Sequence, residues 1–209
     1  MNTLRWVWVL FAMSSQAFAT PKGAGRIALL AGWRLTPNDH FARAATDAGA
    51  PLLRTSPGGP SLAGSFSYAI LDELEISLDL FGSGERLALA NRPLLTNISY
   101  GGLFWLRGML PLMEGRLLPS LAVGTGAVLV LVSGAGLDRL SEKLVQGWVA
   151  AAGILWQFDA NWGMGFEYRY LHARGFVPEI GSINGGGSGF HLLVSYTFAA
   201  EPDRPRMLQ

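Results

Sequence analysis

The sequence predicts an all-β fold, an eight-stranded antiparallel up-and-down transmembrane β-barrel. Three observations predict it. Successive segments alternate apolar and polar side chains, the connections between them alternate short and long, and the chain opens on the pattern of a secretory leader. Segments of about ten alternating residues separated by turns are what a barrel crossing a membrane requires.

The leader comes first. Arg5 is followed by the apolar run Trp6 to Met13, then by Ser14, Ser15, Gln16 and Ala17-Phe18-Ala19. A charged start, a short apolar core and an A-x-A end mark a secretory signal. The run is too short to cross a bilayer as a helix, which takes about 20 residues. Residues 1–19 are therefore read as a signal peptide, with Thr20 at the mature N-terminus, residues 20–198 as the barrel, and residues 199–209 as a short polar tail.

Eight segments carry the alternation: roughly 24–35, 61–71, 74–82, 97–110, 116–131, 145–158, 161–171 and 188–198. In the third, Leu74, Ile76, Leu78 and Leu80 alternate with Glu75, Ser77 and Asp79. In the seventh, Trp162, Met164, Phe166, Tyr168 and Tyr170 alternate with Gly163, Gly165, Glu167 and Arg169. The eighth sets Phe190, Leu192, Val194, Tyr196 and Phe198 against His191, Leu193, Ser195 and Thr197. A period of two places alternate side chains on opposite faces of a strand. The fifth and sixth are less polar inside, where Ser120, Ala122, Gly124, Gly126, Gly147, Ala151 and Gly153 form a small-residue face.

The connections Asp72-Glu73, 111–115 and Asp159-Ala160 are short, whereas 36–60, 83–96, 132–144 and 172–187 are long. Short periplasmic turns and longer external loops are the rule for such barrels. An even strand number puts both chain ends on the periplasmic side. Tyr68, Trp156, Phe158, Trp162, Tyr196 and Phe198 are predicted at the short-turn end of the outer face. Trp33, Tyr100, Trp148, Tyr170 and Phe190 are predicted at the long-loop end. Rings with a polar handle favour the two membrane interfaces.

Composition excludes several classes. The mature chain carries 15 Lys and Arg against 15 Asp and Glu, which leaves no footprint for nucleic acid. It has no cysteine, so neither disulfides nor thiolate metal sites enter. None of His40, His172 and His191 stands in a metalloprotease motif, and Gly124-Thr125-Gly126 lacks the third glycine of a dinucleotide loop. Gly185-Gly186-Gly187 reads as a flexible loop end. No catalytic, cofactor or metal site is predicted. The uncharged stretch Leu117 to Leu137 is long enough for a helical span, but Pro119 and its glycines and serines are poor helix formers.

The segment Glu167-Tyr168-Arg169-Tyr170, its glycine-rich loop and the last strand ending Ser195-Tyr196-Thr197-Phe198 resemble the small OmpA-like and OmpW-like outer-membrane barrels. The resemblance implies residence in the outer membrane of a Gram-negative-type bacterium. It also implies that Phe198, a terminal aromatic residue, is the signal read by the barrel-insertion machinery. Residues 199–209 follow Phe198, a departure from that pattern. Tyr168 to His172 is also similar to the lipid A deacylase barrels, whose YRY-x-H-x-S motif implies a nucleophile at position 174. Here that residue is Arg174, and Asn184 stands near the expected acid. A guanidinium cannot serve as the nucleophile.

The reading is thus a non-enzymatic, monomeric outer-membrane barrel. Its partners would be membrane lipid, lipopolysaccharide and the insertion machinery. Arg26, Arg34, Glu75, Asp79, Arg107, Arg116, Glu167, Arg169 and His191 are predicted to face the lumen. Eight strands leave room only for side chains, so these groups either pair and fill the barrel or line a narrow path for small solutes.

Overall fold

The computed structural model describes residues 21–38, 42–43, 46–47, 51, 58–88, 90, 95–134, 141–177 and 181–198. Residues 1–19, read above as a signal peptide, and the tail 199–209 lie outside the described residues. Ten strands run in chain order: β1 Gly25–Leu35, β2 Gly59–Leu71, β3 Leu74–Leu87, β4 Leu95–Met109 and β5 Leu117–Gly134. They continue as β6 Ser141–Gln157, β7 Trp162–His172, β8 Arg174–Val177, β9 Gly181–Asn184 and β10 Gly187–Phe198.

Eight of them close a barrel in the order β1-β10-β7-β6-β5-β4-β3-β2, every neighbour antiparallel. The closing seam pairs Gly25 with Phe198 and Leu35 with Ser188. Closure leaves no unpaired edge, which a wall in lipid could not satisfy with water. The remaining two strands, β8 and β9, form a small hairpin of their own at the long-loop end.

Side-chain facing follows the alternation read from the sequence. In β10 buried and exposed residues alternate from Gly189 to Phe198, and β2 does the same from Gly59 to Ala69 apart from the half-buried Gly64. All eleven aromatic residues assigned above to the outer face are exposed. The stretch from Leu117 is strand, not helix, through Gly134.

Strand lengths are unequal, and this differs from expectation. β3 continues to Leu87, β4 begins at Leu95, β5 reaches Gly134 and β6 starts at Ser141. The 18 residues of β5 exceed the 9–11 or so that a tilted strand needs to cross a bilayer. Because Leu117 lies beside Trp156 at the short-turn end, the surplus projects from the long-loop end. There Leu87, Leu95, Val128, Val130 and Val132 are buried in one apolar cluster with Ala173 and Ile183 from either side of the β8–β9 hairpin. The pairing of β8 with β9 inside the last connection was not foreseen.

Candidate functional site: a closed lumen

Small inward residues set how the lumen is filled. Ser61, Ala63, Ser65, Ser67 and Ala69 are all buried on β2, leaving space for longer side chains from the facing walls. Trp105 on β4 points inward and is fully buried. Its inward neighbours across the ladder are Ser77 on one side and Gly124 on the other, so the indole lies between small residues. Nothing in the sequence reading assigned Trp105 to the lumen. Its odd position in the β4 alternation was the available signal.

Four arginines and four carboxylates are buried inside the barrel among the described residues: Arg26, Arg34, Arg107 and Arg169, with Glu75, Asp79, Glu85 and Glu167. Arg26 on β1 pairs with Glu75 on β3. Arg107 on β4 reaches Glu167 on β7 at 2.5 Å. Arg169 holds Glu167 at 2.5 Å and Asp79 at 2.8 Å, and its guanidinium carbon lies 5.0 Å from the centre of the Trp105 ring. Arg26–Glu75, Arg107–Glu167 and Arg169–Asp79 join non-adjacent strands, so each is a strut across the lumen, whereas Arg169–Glu167 is a brace within β7. A buried charge is tolerated when paired, and the four-to-four balance leaves the buried set neutral overall, although both Asp79 carboxylate oxygens lack a hydrogen-bond donor among the described residues.

Arg34 and His191 lie nearer the long-loop end. Arg34 donates to the Ser99 hydroxyl at 2.6 Å and to the Gly185 carbonyl at 2.7 Å. The Nε2 of His191 is 3.1 Å from the Ser61 hydroxyl. Arg116 departs from expectation. It stands half-buried in the turn before β5, because that strand begins one residue later than predicted. Glu85 was missed, since the third segment was ended at residue 82. It accepts from Asn97 at 2.7 Å and from Asn38 at 3.0 Å.

The last long connection folds back into the barrel mouth. Ile183 and Ala173 are buried, the Asn97 side chain donates to the Asn184 carbonyl at 3.1 Å, and Gly185 donates to the Ala173 carbonyl at 2.8 Å. The triglycine is therefore no flexible end. A Cβ on Gly186 would fall 2.0 Å from the Leu171 carbonyl oxygen, an approach open only to glycine. Below this plug, two cavities lined by described lumen residues measure about 30 Å³ each, room for a water molecule or so.

Among the described residues no acyl-hydrolysis constellation is assembled around His172. That side chain is exposed, on the outer face with Arg174. The Ser188 hydroxyl is instead 3.0 Å from the Tyr168 phenol.

OprG of Pseudomonas aeruginosa superposes with a TM-score of 0.59 at 12% identity, covering 88% of this chain and 100% of that one. The attachment invasion locus protein Ail of Yersinia pestis gives 0.51 at 11% identity, covering 85% and 99%. Neisserial surface protein A gives 0.51 at 16% identity, covering 86% and 98%. The fold is that of the small eight-stranded outer-membrane barrels. At these identities the likeness is one of architecture, carried by alternation and closure. No protein-family model and no curated protein matches the sequence.

Proposed function

We propose that this protein is a resident of a bacterial outer membrane and acts as a closed, non-conducting and non-enzymatic barrel, meeting its surroundings through its outer rim. One observation carries the reading: the lumen is crossed by the Arg107–Glu167–Arg169–Asp79 chain and stopped at the mouth by Ile183. A solute would have to break buried ion pairs on its way, at several kcal/mol for each uncompensated charge. The exposed aromatic rings at both ends suit a wall held at two lipid interfaces. Phe198 closes the last strand against Gly25, a place suited to an insertion signal read by the assembly machinery.

The test is reconstitution into planar bilayers after signal cleavage, with folding checked by gel mobility before and after boiling. A heat-modifiable band without unitary conductance is the expected result. Steady ion currents from folded wild-type protein would overturn the closed-lumen reading in favour of a narrow pore. Recovery from the inner membrane with Met1 intact would overturn the location.

A further inference from the structure

We propose that His172, Arg174 and Phe176, a column on the outer face, bind the phosphorylated saccharide headgroup of an outer-leaflet glycolipid. The proposal rests on the barrel standing in an outer membrane. Alternate residues Phe166, Tyr168, Tyr170, His172, Arg174 and Phe176 are all exposed. The column crosses from β7 to β8 without changing face, because Ala173 between them is fully buried. β8 is held against β6, where a Cβ on Gly175 would lie 3.3 Å from the side chains of Lys143 and Val145. Trp148 on β6 pairs in register with His172 and is itself exposed.

The vertical order of this column matches the layers of a leaflet. Phe166 is apolar throughout, and Tyr168 and Tyr170 carry the polar handle of an interfacial ring. Each further two-residue step along a strand tilted by about 40° rises about 5 Å. His172 and Arg174 therefore stand at headgroup height, next to the interfacial tyrosines. Among the described residues no ion pair engages Arg174 or His172, in contrast to Arg26, Arg107 and Arg169 in the lumen. A free guanidinium is a fork for phosphate oxygens, and an imidazole N–H adds a donor.

Phe176 selects between the two lipid sources of phosphate. It stands one step beyond Arg174 and is 62% exposed, as Leu144 on β6 is 66% exposed. Phe176 thus offers an exposed aromatic face beyond the interfacial tyrosines. A phospholipid ends close to its phosphate, whereas a phosphorylated glycolipid carries sugar rings at and above that level, with C–H faces for Phe176 to cover.

The experiment uses the mature protein in non-ionic maltoside micelles, with native mass spectrometry of bound lipid. The probes are rough-type lipopolysaccharide, the same material dephosphorylated, and phosphatidylglycerol. Wild type is expected to prefer intact lipopolysaccharide to both. R174Q should bind it about tenfold more weakly, the scale of one charge-assisted contact, R174K, which keeps the charge but not the planar fork, should fall between R174Q and wild type, and F176S should lose the preference over phosphatidylglycerol. Both positions are exposed on the rim, so heat-modifiable mobility should be retained, and R174A gives a second neutral variant with the same expectation. Equal binding by wild type, R174Q and R174A overturns the site. Equal binding of phosphatidylglycerol by wild type overturns the glycolipid assignment. Failure of the outer-membrane reading would show separately, in fractionation.

Discussion

Arg169 on β7 meets Asp79 on β3, the strand diametrically opposite in the closed order, at 2.8 Å. Together with Arg107–Glu167 it ties walls that share no backbone hydrogen bond. The barrel is thus held by its ladder around the circumference and by these struts across it.

Breaking the strut on one side should be costly. Asp79→Leu leaves Arg169 a buried charge with one partner fewer, and a loss of about 3–5 kcal/mol is expected. The double variant D79L/R169L should lose less than the sum of the two single variants, because the charges leave together. Equilibrium urea unfolding in lipid vesicles measures all four species. Additive losses would mean that the pair is not coupled.

Facing can be read directly at adjacent positions of β3. Ile76 lies on the outer face and the buried Glu75 on the inner, so in a membrane lipid-phase quenchers should reach a label at 76 and spare one at 75. Leu78→Arg places a charge on the lipid face and should cost about 2–4 kcal/mol near mid-membrane. Equal quenching at both positions would mean that the register is wrong.

The plug offers a site for a covalent trap. A Cβ on Gly185 would lie 3.5 Å from the Cβ of Ser99 and 2.4 Å from a methyl of Val130. The triple variant S99C/V130A/G185C relieves the second contact and puts two thiols within disulfide reach. The chain has no cysteine of its own, so the bond formed is unambiguous. It should form in folded protein in vesicles, seen as a two-dalton mass loss on oxidation, the two thiol hydrogens. Thiols that stay free would show that Gly185 does not rest in the mouth.

The protein should leave the acylation of lipid A unaltered. Mass spectrometry of lipid A from cells with and without the protein should show the same acylation, and His172→Ala should change nothing. Loss of one ester-linked chain, abolished by His172→Ala, would replace the non-enzymatic reading by acyl hydrolysis.

The resemblance to deacylase barrels illustrates how far local sequence reaches. Tyr168 to His172 fits that motif letter by letter, yet His172 and Arg174 are both displayed to the outside. Alternation alone fixes that direction, because both share the parity of Tyr168 and Tyr170. In the lumen, parity likewise placed Arg26, Glu75, Asp79, Arg107, Glu167 and Arg169 inside, but Glu85 and Trp105 carry the same signal and were passed over. Glu85 lay beyond the expected strand end, and an inward tryptophan looks no different in sequence from an outward one when its neighbours are apolar.

What the sequence by itself determined was the number of barrel strands, the facing of most of their side chains and the end at which the long connections lie. These depend on a period of two and on turn length, which are local properties. Only the tertiary structure decided which charges pair, because Arg26–Glu75 and Arg169–Asp79 join residues brought together by closure and strand stagger. It also decided that the glycines after Asn184 pack into the mouth. That fit depends on Leu171, Val130 and Ser99 from three different strands, and no short stretch of sequence encodes such a meeting.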